Sequence, residues 1–525
     1  MHSSESSPST PPSKVSSDAL EAPLLPLKFD GTTSSPRMSP HRIVRNAVVI
    51  LLLSGVIVAA SWILSTLPDP DSDESEPKEL YTPTLTLIET QPLNYTIPKL
   101  PTSLETYEYE LSLINSAKVD IKITVMYWSL LCQSSSYKTL GCLRGEKIYS
   151  AFKSAADRGV KLYFLQDETQ NHTQLINLVS SSPNISYRTW NAKNWYSGGI
   201  MHQKLWVVDS KNVYLGSSNM DWLSLSQVKE LGVGITSSVV GGMAVDLFDD
   251  WYTWAGMDVK TVEYFNTEYQ VTLTTPCWSH HLLDTSSYCE YPFPKREWSY
   301  DRKNQRTLEF NGNSSEFYIS RSPFEIAGED YTADINGIIS TIRSAEKTVD
   351  ISVMDFSPAS EYDDCWFNKI QESLLTVWQG KGVTSRVMVS WWAYSDIDMI
   401  KQMRSLVGMS YGGVEVGVYM MPGWNMTNST DGIPPVGVPV FPGHSRVAHG
   451  KFIVTEERVN VGTSNYQWAY FYDTAGTSFN TDHEETVELV QQVFDRDWES
   501  EYTFGVEEWW DVYGEEYELV EKVVE

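Results

Sequence analysis

The chain has 525 residues, 41% of them hydrophobic, and a formal net charge of −29. Such a length and composition suit one large or two medium domains with buried cores. The excess of carboxylates excludes a protein that coats nucleic acid through a broadly basic surface, so phosphate groups can be met only where basic residues are gathered in a cleft.

Residues 1–46 are rich in Ser, Pro and Thr and cannot bury enough apolar surface to order themselves, which predicts a disordered cytosolic tail. Ala47 to Leu67 is uncharged and has the length of about 20 residues that a helix needs to cross a bilayer. Arg37, Arg42 and Arg45 precede this run, and Asp69, Asp71, Asp73, Glu74 and Glu76 follow it. It therefore reads as an uncleaved signal anchor with the N-terminus in the cytosol and the bulk of the chain in the lumen. Residues 68–84 read as a stalk. Asn94, Asn171, Asn184, Asn313, Asn425 and Asn428 head glycosylation sequons, all after the span. The 5 cysteines also follow it. Cys132 with Cys142 and Cys277 with Cys289 can close local loops, leaving Cys365 over, although the spacing also admits other pairings.

The remainder holds an imperfect internal repeat. Leu113 to Met126 and Ile338 to Met354 each pass from helical to alternating apolar periodicity. Each copy continues with an amphipathic helix and a strand, Ala151 to Phe164 in the first and a looser counterpart ending Val383 to Val389 in the second. Helices alternating with strands predict an α/β fold of two similar halves, 85–300 and 301–505, each a mixed β-sheet flanked by helices. Residues 506–525 read as an acidic, solvated extension.

Each copy then reaches a strand pair with polar residues in a fixed pattern. The first runs Met201-His202-Gln203-Lys204 to Asp209, then Gly216-Ser217-Ser218-Asn219. The second runs Ala448-His449-Gly450-Lys451 to Glu456, then Gly462-Thr463-Ser464-Asn465. Residues two apart on a strand share a face, so each His and Lys point the same way. Two imidazoles and two ammonium groups converging on one point suit a phosphodiester: one imidazole as nucleophile, one as acid, and cations and amides around the non-bridging oxygens. No cofactor or metal is called for, since Lys is no ligand and no carboxylate or Cys sits at zinc-site spacing. A single His-x-Lys is usually a solvated strand face; its recurrence, with Gly and Asn downstream, argues otherwise. Trp128, Trp195, Trp222, Trp424, Trp468 and Phe471 lie near these motifs, where core packing is the ordinary reading and stacking on a nucleobase the alternative.

His-x-Lys-x4-Asp followed by Gly-Ser-x-Asn, present twice, resembles the phospholipase D superfamily from about Leu85 to Tyr502. The longer stretches Gly216 to Gly232 and Val461 to Ser478 resemble its type II membrane branch of phospholipase D types three and four. The resemblance implies two phospholipase D-type halves packed as a pseudo-dimer around one active site. It also implies 5′-to-3′ exonuclease activity on single-stranded nucleic acid, a route from endoplasmic reticulum and Golgi to lysosome or late endosome, and a second copy of the chain as a partner. Carried over, His202 is the nucleophile that forms a phosphohistidine and His449 the general acid and then base. Lys204, Lys451, Asn219 and Asn465 hold the phosphate, and Glu230 orients His202. Ser217 and Thr463 support the motifs, as do Asp209 and Glu456. The last departs from the family's Asp, and both acidic residues are expected to brace backbone. Phospholipid is the alternative substrate and a catalytically silent scaffold the alternative class.

Overall fold

In a computed structural model the described residues are 79–514, without 197, 269, 280–288, 295–300, 328–330, 360–364 and 427–440. Contacts divide the chain into Met1–Ser75 and Glu76–Glu525; the description concerns the second unit. The expected tail, the apolar run 47–67 and most of the stalk lie outside the described residues. Among those described, no helix is long and apolar enough to cross a membrane. The localisation expected from the sequence, a single-pass type II protein on its way to the lysosome, is corrected accordingly. A run of suitable length and hydropathy is only a candidate for a span.

The first half is an eight-stranded sheet. Its elements are β1 (Thr84–Thr90), β2 (Leu104–Glu105), α1 (Thr106–Ser116), β3 (Asp120–Val125), α2 (Cys142–Asp157), β4 (Lys161–Asp167), β5 (Ile185–Trp190), β6 (Leu205–Val208), β7 (Asn212–Gly216), β8 (Glu230–Thr236) and α3 (Ser238–Trp254). The strand order is β2-β1-β8-β7-β6-β3-β4-β5.

The second half comprises β9 (Arg306–Phe310), β10 (Asn313–Ser322), α4 (Asp334–Ser344), β11 (Thr348–Val353), α5 (Lys369–Lys381), β12 (Thr384–Trp391), α6 (Ile397–Ser410), β13 (Val414–Met420), β14 (Lys451–Thr455), β15 (Val459–Gly462), β16 (Gly476–Thr481), α7 (Glu484–Trp498), β17 (Thr503–Gly505) and α8 (Val506–Trp509). Its order is β9-β10-β16-β15-β14-β11-β12-β13-β17. From β1 to β5 and from β10 to β13 the two sheets have the same order and the same strand directions: β3, β4 and β5 run parallel, as do β11, β12 and β13, and the other pairs are antiparallel. The repeat legible in the sequence is thus a repeat of topology.

Alternation along the strands builds three apolar layers. On β6, Leu205 and Val207 face a central core shared with Phe452 and Val454 of β14, whereas Trp206 and Val208 face the outer core under α1 and α2. Ile453 faces the corresponding outer core under α4, α5 and α6. Two sheets covered on both faces leave few sites for polar side chains except at strand ends, where the motifs stand. At the seam, Gly199 has φ +88, and a Cβ there would meet the Asp473 carbonyl oxygen at 2.1 Å. Only glycine permits this approach of the halves.

Cys132–Cys142 and Cys277–Cys289 are disulfides, as the local-loop pairing predicts, and Cys365 is buried outside both. Asn94, Asn171, Asn313 and Asn425 are exposed and Asn184 half-buried. The Asn184 amide donates to the Ala156 carbonyl at 2.9 Å and its oxygen accepts from Lys161 at 2.6 Å. Asn428 is outside the described residues. The start of the C-terminal segment is not solvated as expected: Trp509 is fully buried, 4.5 Å from the Trp391 ring, with Nε1 donating to Met420 Sδ. Its apolar rings outweigh the charge of the neighbouring carboxylates.

Candidate active site

His202 and Lys204 immediately precede β6, and Lys451 opens β14 two residues after His449. Each histidine is hooked to the opposite half. The His202 amide donates to the Ala475 carbonyl at 3.0 Å, one residue before β16. The His449 amide donates to the Lys229 carbonyl at 2.8 Å, one residue before β8. These crossed bridges, Met201 with Ala475 and Lys229 with Ala448, bring the imidazoles to 6.4 Å between ring centroids. Lys229 is pinned in turn by an ion pair to Asp497 of α7 at 2.6 Å.

The crossing decides which histidine the buried carboxylate serves. Glu230 Oε2 lies 2.8 Å from His449 Nδ1, so Glu230 orients His449 and not, as expected, His202. The reason is long-range: the strand that carries Glu230 leaves the first half beside Ala448. Ser217 and Ser224 donate to the same carboxylate at 2.5 and 2.8 Å, holding it in place. His202 has no such partner. Its Nδ1 is buried without a hydrogen bond, and its ring meets the Tyr470 ring edge-on at 5.2 Å. Glu230 is eleven residues past Asn219; the residue eleven past Asn465 is Gly476. The sheet register agrees, since Gly216 faces Gly232 on β8 and Gly462 faces Ser478 on β16.

Charge is scarce and strongly perturbed here. Burial, then Lys204, Lys451 and His449, hold His202 well below the usual imidazole range, opposed only by the backbone of Thr463. Burial drives His449 down to about 4, against the pull of Glu230. Burial and Lys451 push Lys204 well below the ordinary ammonium range, and burial takes Lys451 to about 7 against Glu230 and Asp355. Four buried basic groups that share one contacting carboxylate, Glu230 on His449, are in the state that a phosphodiester would relieve. Each ammonium rests on its own histidine's carbonyl, Lys204 on His202 at 2.7 Å and Lys451 on His449 at 2.6 Å. Each keeps further N–H donors.

The other expected residues fall into two groups. Asn219 and Asn465 are buried with unpaired Oδ1 atoms; the Asn219 side chain bonds Tyr127, and Asn465 Nδ2 donates to Asp355 at 2.9 Å. Ser217 and Thr463 hold strands together: the Leu231 amide donates to Ser217 Oγ and the Thr477 amide to Thr463 Oγ1, both at 3.0 Å. Asp209 accepts from the amides of Lys118, Val119 and Asp120. Glu456 accepts from those of Glu346, Lys347 and Thr348. Both brace the start of a strand, as expected, and the longer side chain does the same work. Trp128, Trp195, Trp468 and Phe471 belong to the core, Trp424 is half-buried, and Trp222 is buried.

Sequence reasoning missed Tyr127, Asp221, Ser224, Asp355 and Tyr470. Tyr127 and Asp355 were within reach, for they occupy one repeat position, two past Val125 and Val353. Among the described residues no group of His, Cys, Asp and Glu is placed to hold a metal ion.

Two facing His-x-Lys strands, buried, cationic and braced from opposite halves, define a phosphodiesterase of the phospholipase D superfamily. Residues 99–421 match the family described as PLD3/4, PLD-like domain, and the chain belongs to it. It is 29% identical over 413 residues to phospholipase D Z of Dictyostelium discoideum, covering 78% of this chain and 88% of that protein. It is 28% identical over 407 residues to the 5'-3' exonuclease PLD3 of Xenopus laevis, covering 75% of each. The virion nicking-joining enzyme of vaccinia virus is 26% identical over 426 residues, 80% of this chain and 88% of that protein.

Proposed function

We propose that the protein cleaves single-stranded nucleic acid from the 5′ end through a phosphohistidine on His202, with His449 as general acid and then base. The observation that carries the division of roles is the Glu230 carboxylate on His449. A nucleophile must offer a free lone pair, and His202, among three basic groups and without an anion, stays neutral. An acid must hold a proton when the leaving oxygen departs, and Glu230 favours that proton on His449. Glu230 therefore supports the roles by a different route from the one expected, serving the acid and not the nucleophile.

In the first step His202 attacks phosphorus, the P–O bond to the leaving nucleoside breaks, and His449 gives its proton to the departing oxygen. In the second, His449 takes a proton from water, whose oxygen attacks phosphorus and releases His202. Lys204, Lys451 and the amides of Asn219 and Asn465 supply donors to the non-bridging oxygens as charge builds. The exonuclease among the relatives supports nucleic acid as substrate; the phospholipase D among them supports phospholipid as the second reading.

Purified chain is offered 5′-hydroxyl single-stranded oligonucleotide and phospholipid in parallel at pH 5 and pH 7. Stepwise shortening from the 5′ end, abolished by His202→Ala, is expected; turnover of lipid alone overturns the nuclease reading.

A further inference from the structure

A cavity of about 600 Å³ is lined by residues of both halves, among them the neighbours of Asn219. Its floor is made by Tyr127 and Asp221, and its walls include Tyr137, Trp222, Leu223 and His444. The floor adjoins Asn219: the Asp221 amide donates to the Asn219 carbonyl at 2.8 Å, and Tyr127 bonds the Asn219 side chain. The cavity is thus one residue removed from Asn219, which is to hold the phosphate.

The polar groups of the floor are already engaged. The Tyr127 hydroxyl donates to Asp221 Oδ2, and Asp221 Oδ1 accepts from the Ser224 amide at 2.5 Å. The lining also carries ring surface, from Tyr137, Trp222 and His444. Tyr137 and Trp222 lie 5.5 Å apart at an interplanar angle of 31°. The Trp222 ring is fixed by Nε1 donating to Gln133 Oε1 at 2.9 Å, and the segment bearing Gln133 and Tyr137 is closed by the Cys132–Cys142 disulfide. On the other side His444, from the second half, stacks on Tyr394 at 4.6 Å and 16°. A cavity walled by aromatic rings near a phosphate site matches a flat heteroaromatic group.

From this geometry we infer that the cavity is a nucleoside subsite that takes the base on one side of the scissile phosphate, with the Tyr137 ring as a stacking wall. The inference rests on the reading of the protein as a nuclease of single strands. It does not concern the phosphodiester chemistry, which belongs to the histidines and lysines.

The test uses the full chain and 5′-hydroxyl single-stranded oligonucleotides that carry an abasic residue at the first or at the second nucleotide, against the intact strand. In the wild type, removing the base at one of these two positions raises KM by about tenfold. Tyr137→Ala shrinks that penalty to about twofold or less, and Tyr137→Phe, which keeps the ring, retains it. Equal KM for the intact and both abasic strands in the wild type overturns the subsite and leaves the nuclease reading intact. So does a Tyr137→Ala enzyme that is weakened on all strands in proportion. A wild type that cleaves no strand and turns over phospholipid overturns both.

Discussion

The two halves of the molecule share strand order, strand direction and the spacing of their polar motifs, yet their active-site surroundings differ at matched positions, three of which stand out. Where the first half has Glu230, the second has Gly476; where it has Ser224, the second has Tyr470; where it has Tyr127, the second has Asp355. A duplicated scaffold has kept its histidines and lysines and changed what stands behind them. Because the halves are cross-bridged, two of these changes reach the other half's histidine: the first half supplies the Glu230 carboxylate to His449, and the second sets the Tyr470 ring against His202. Identical side chains in equivalent places thereby acquire different proton affinities.

The comparison is broken most severely by removing the carboxylate that meets a histidine. Glu230→Gln keeps the shape and takes away the charge that favours a proton on His449, so kcat is expected to fall by about 10- to 100-fold. The sign of the pH effect follows. Glu230 raises the proton affinity of His449, so its loss moves the alkaline limb of the kcat profile to lower pH. A profile that keeps its limb and only loses height would assign Glu230 a structural role. His202 is not in contact with Glu230, and the acid limb stays in place.

A smaller effect is expected from crowding the matched position. A Cβ on Gly476 would lie 2.5 Å from Ser464 Oγ and 2.6 Å from Ser322 Oγ. The first of these hydroxyls donates to buried Asp334 and the second to the Thr474 carbonyl. Gly476→Ala must displace both, and denaturant unfolding should show a loss of about 1–3 kcal/mol. Unchanged stability would mean that the seam can open there. The smallest effect is expected at the motif's last position. Glu456→Asp restores the residue that the first half uses in Asp209, and unfolding should register a change of under about 1 kcal/mol; a larger loss would show that β11 needs the longer reach.

Much of this was legible in the sequence. Periodicity and the doubled motif sufficed for the two sheets and the four basic residues, and the offset of five residues from Lys to Asp209 or Glu456 sufficed to place those carboxylates behind the strands. The partner of Glu230 was not legible. It depends on the bridge between Lys229 and Ala448, a contact across more than two hundred residues that no local spacing encodes, and the role carried over from the family resemblance pointed to the wrong histidine. The absence of a carboxylate after the second motif was visible, but its meaning required the register that places Gly476 opposite Glu230. The burial of Trp509 was hidden by its acidic neighbours for a similar reason, since its cover, Trp391 and Met420, comes from strands far away in the chain.

The division of labour between the histidines is tested most directly by rapid acid-free quenching of the wild-type enzyme during turnover of a single-stranded oligonucleotide, followed by mass spectrometry of its peptides. The account predicts a phosphoryl-linked nucleotide on His202, accumulating when His449 is replaced by Ala and the substrate carries a good leaving group. The same adduct found on His449 would contradict it.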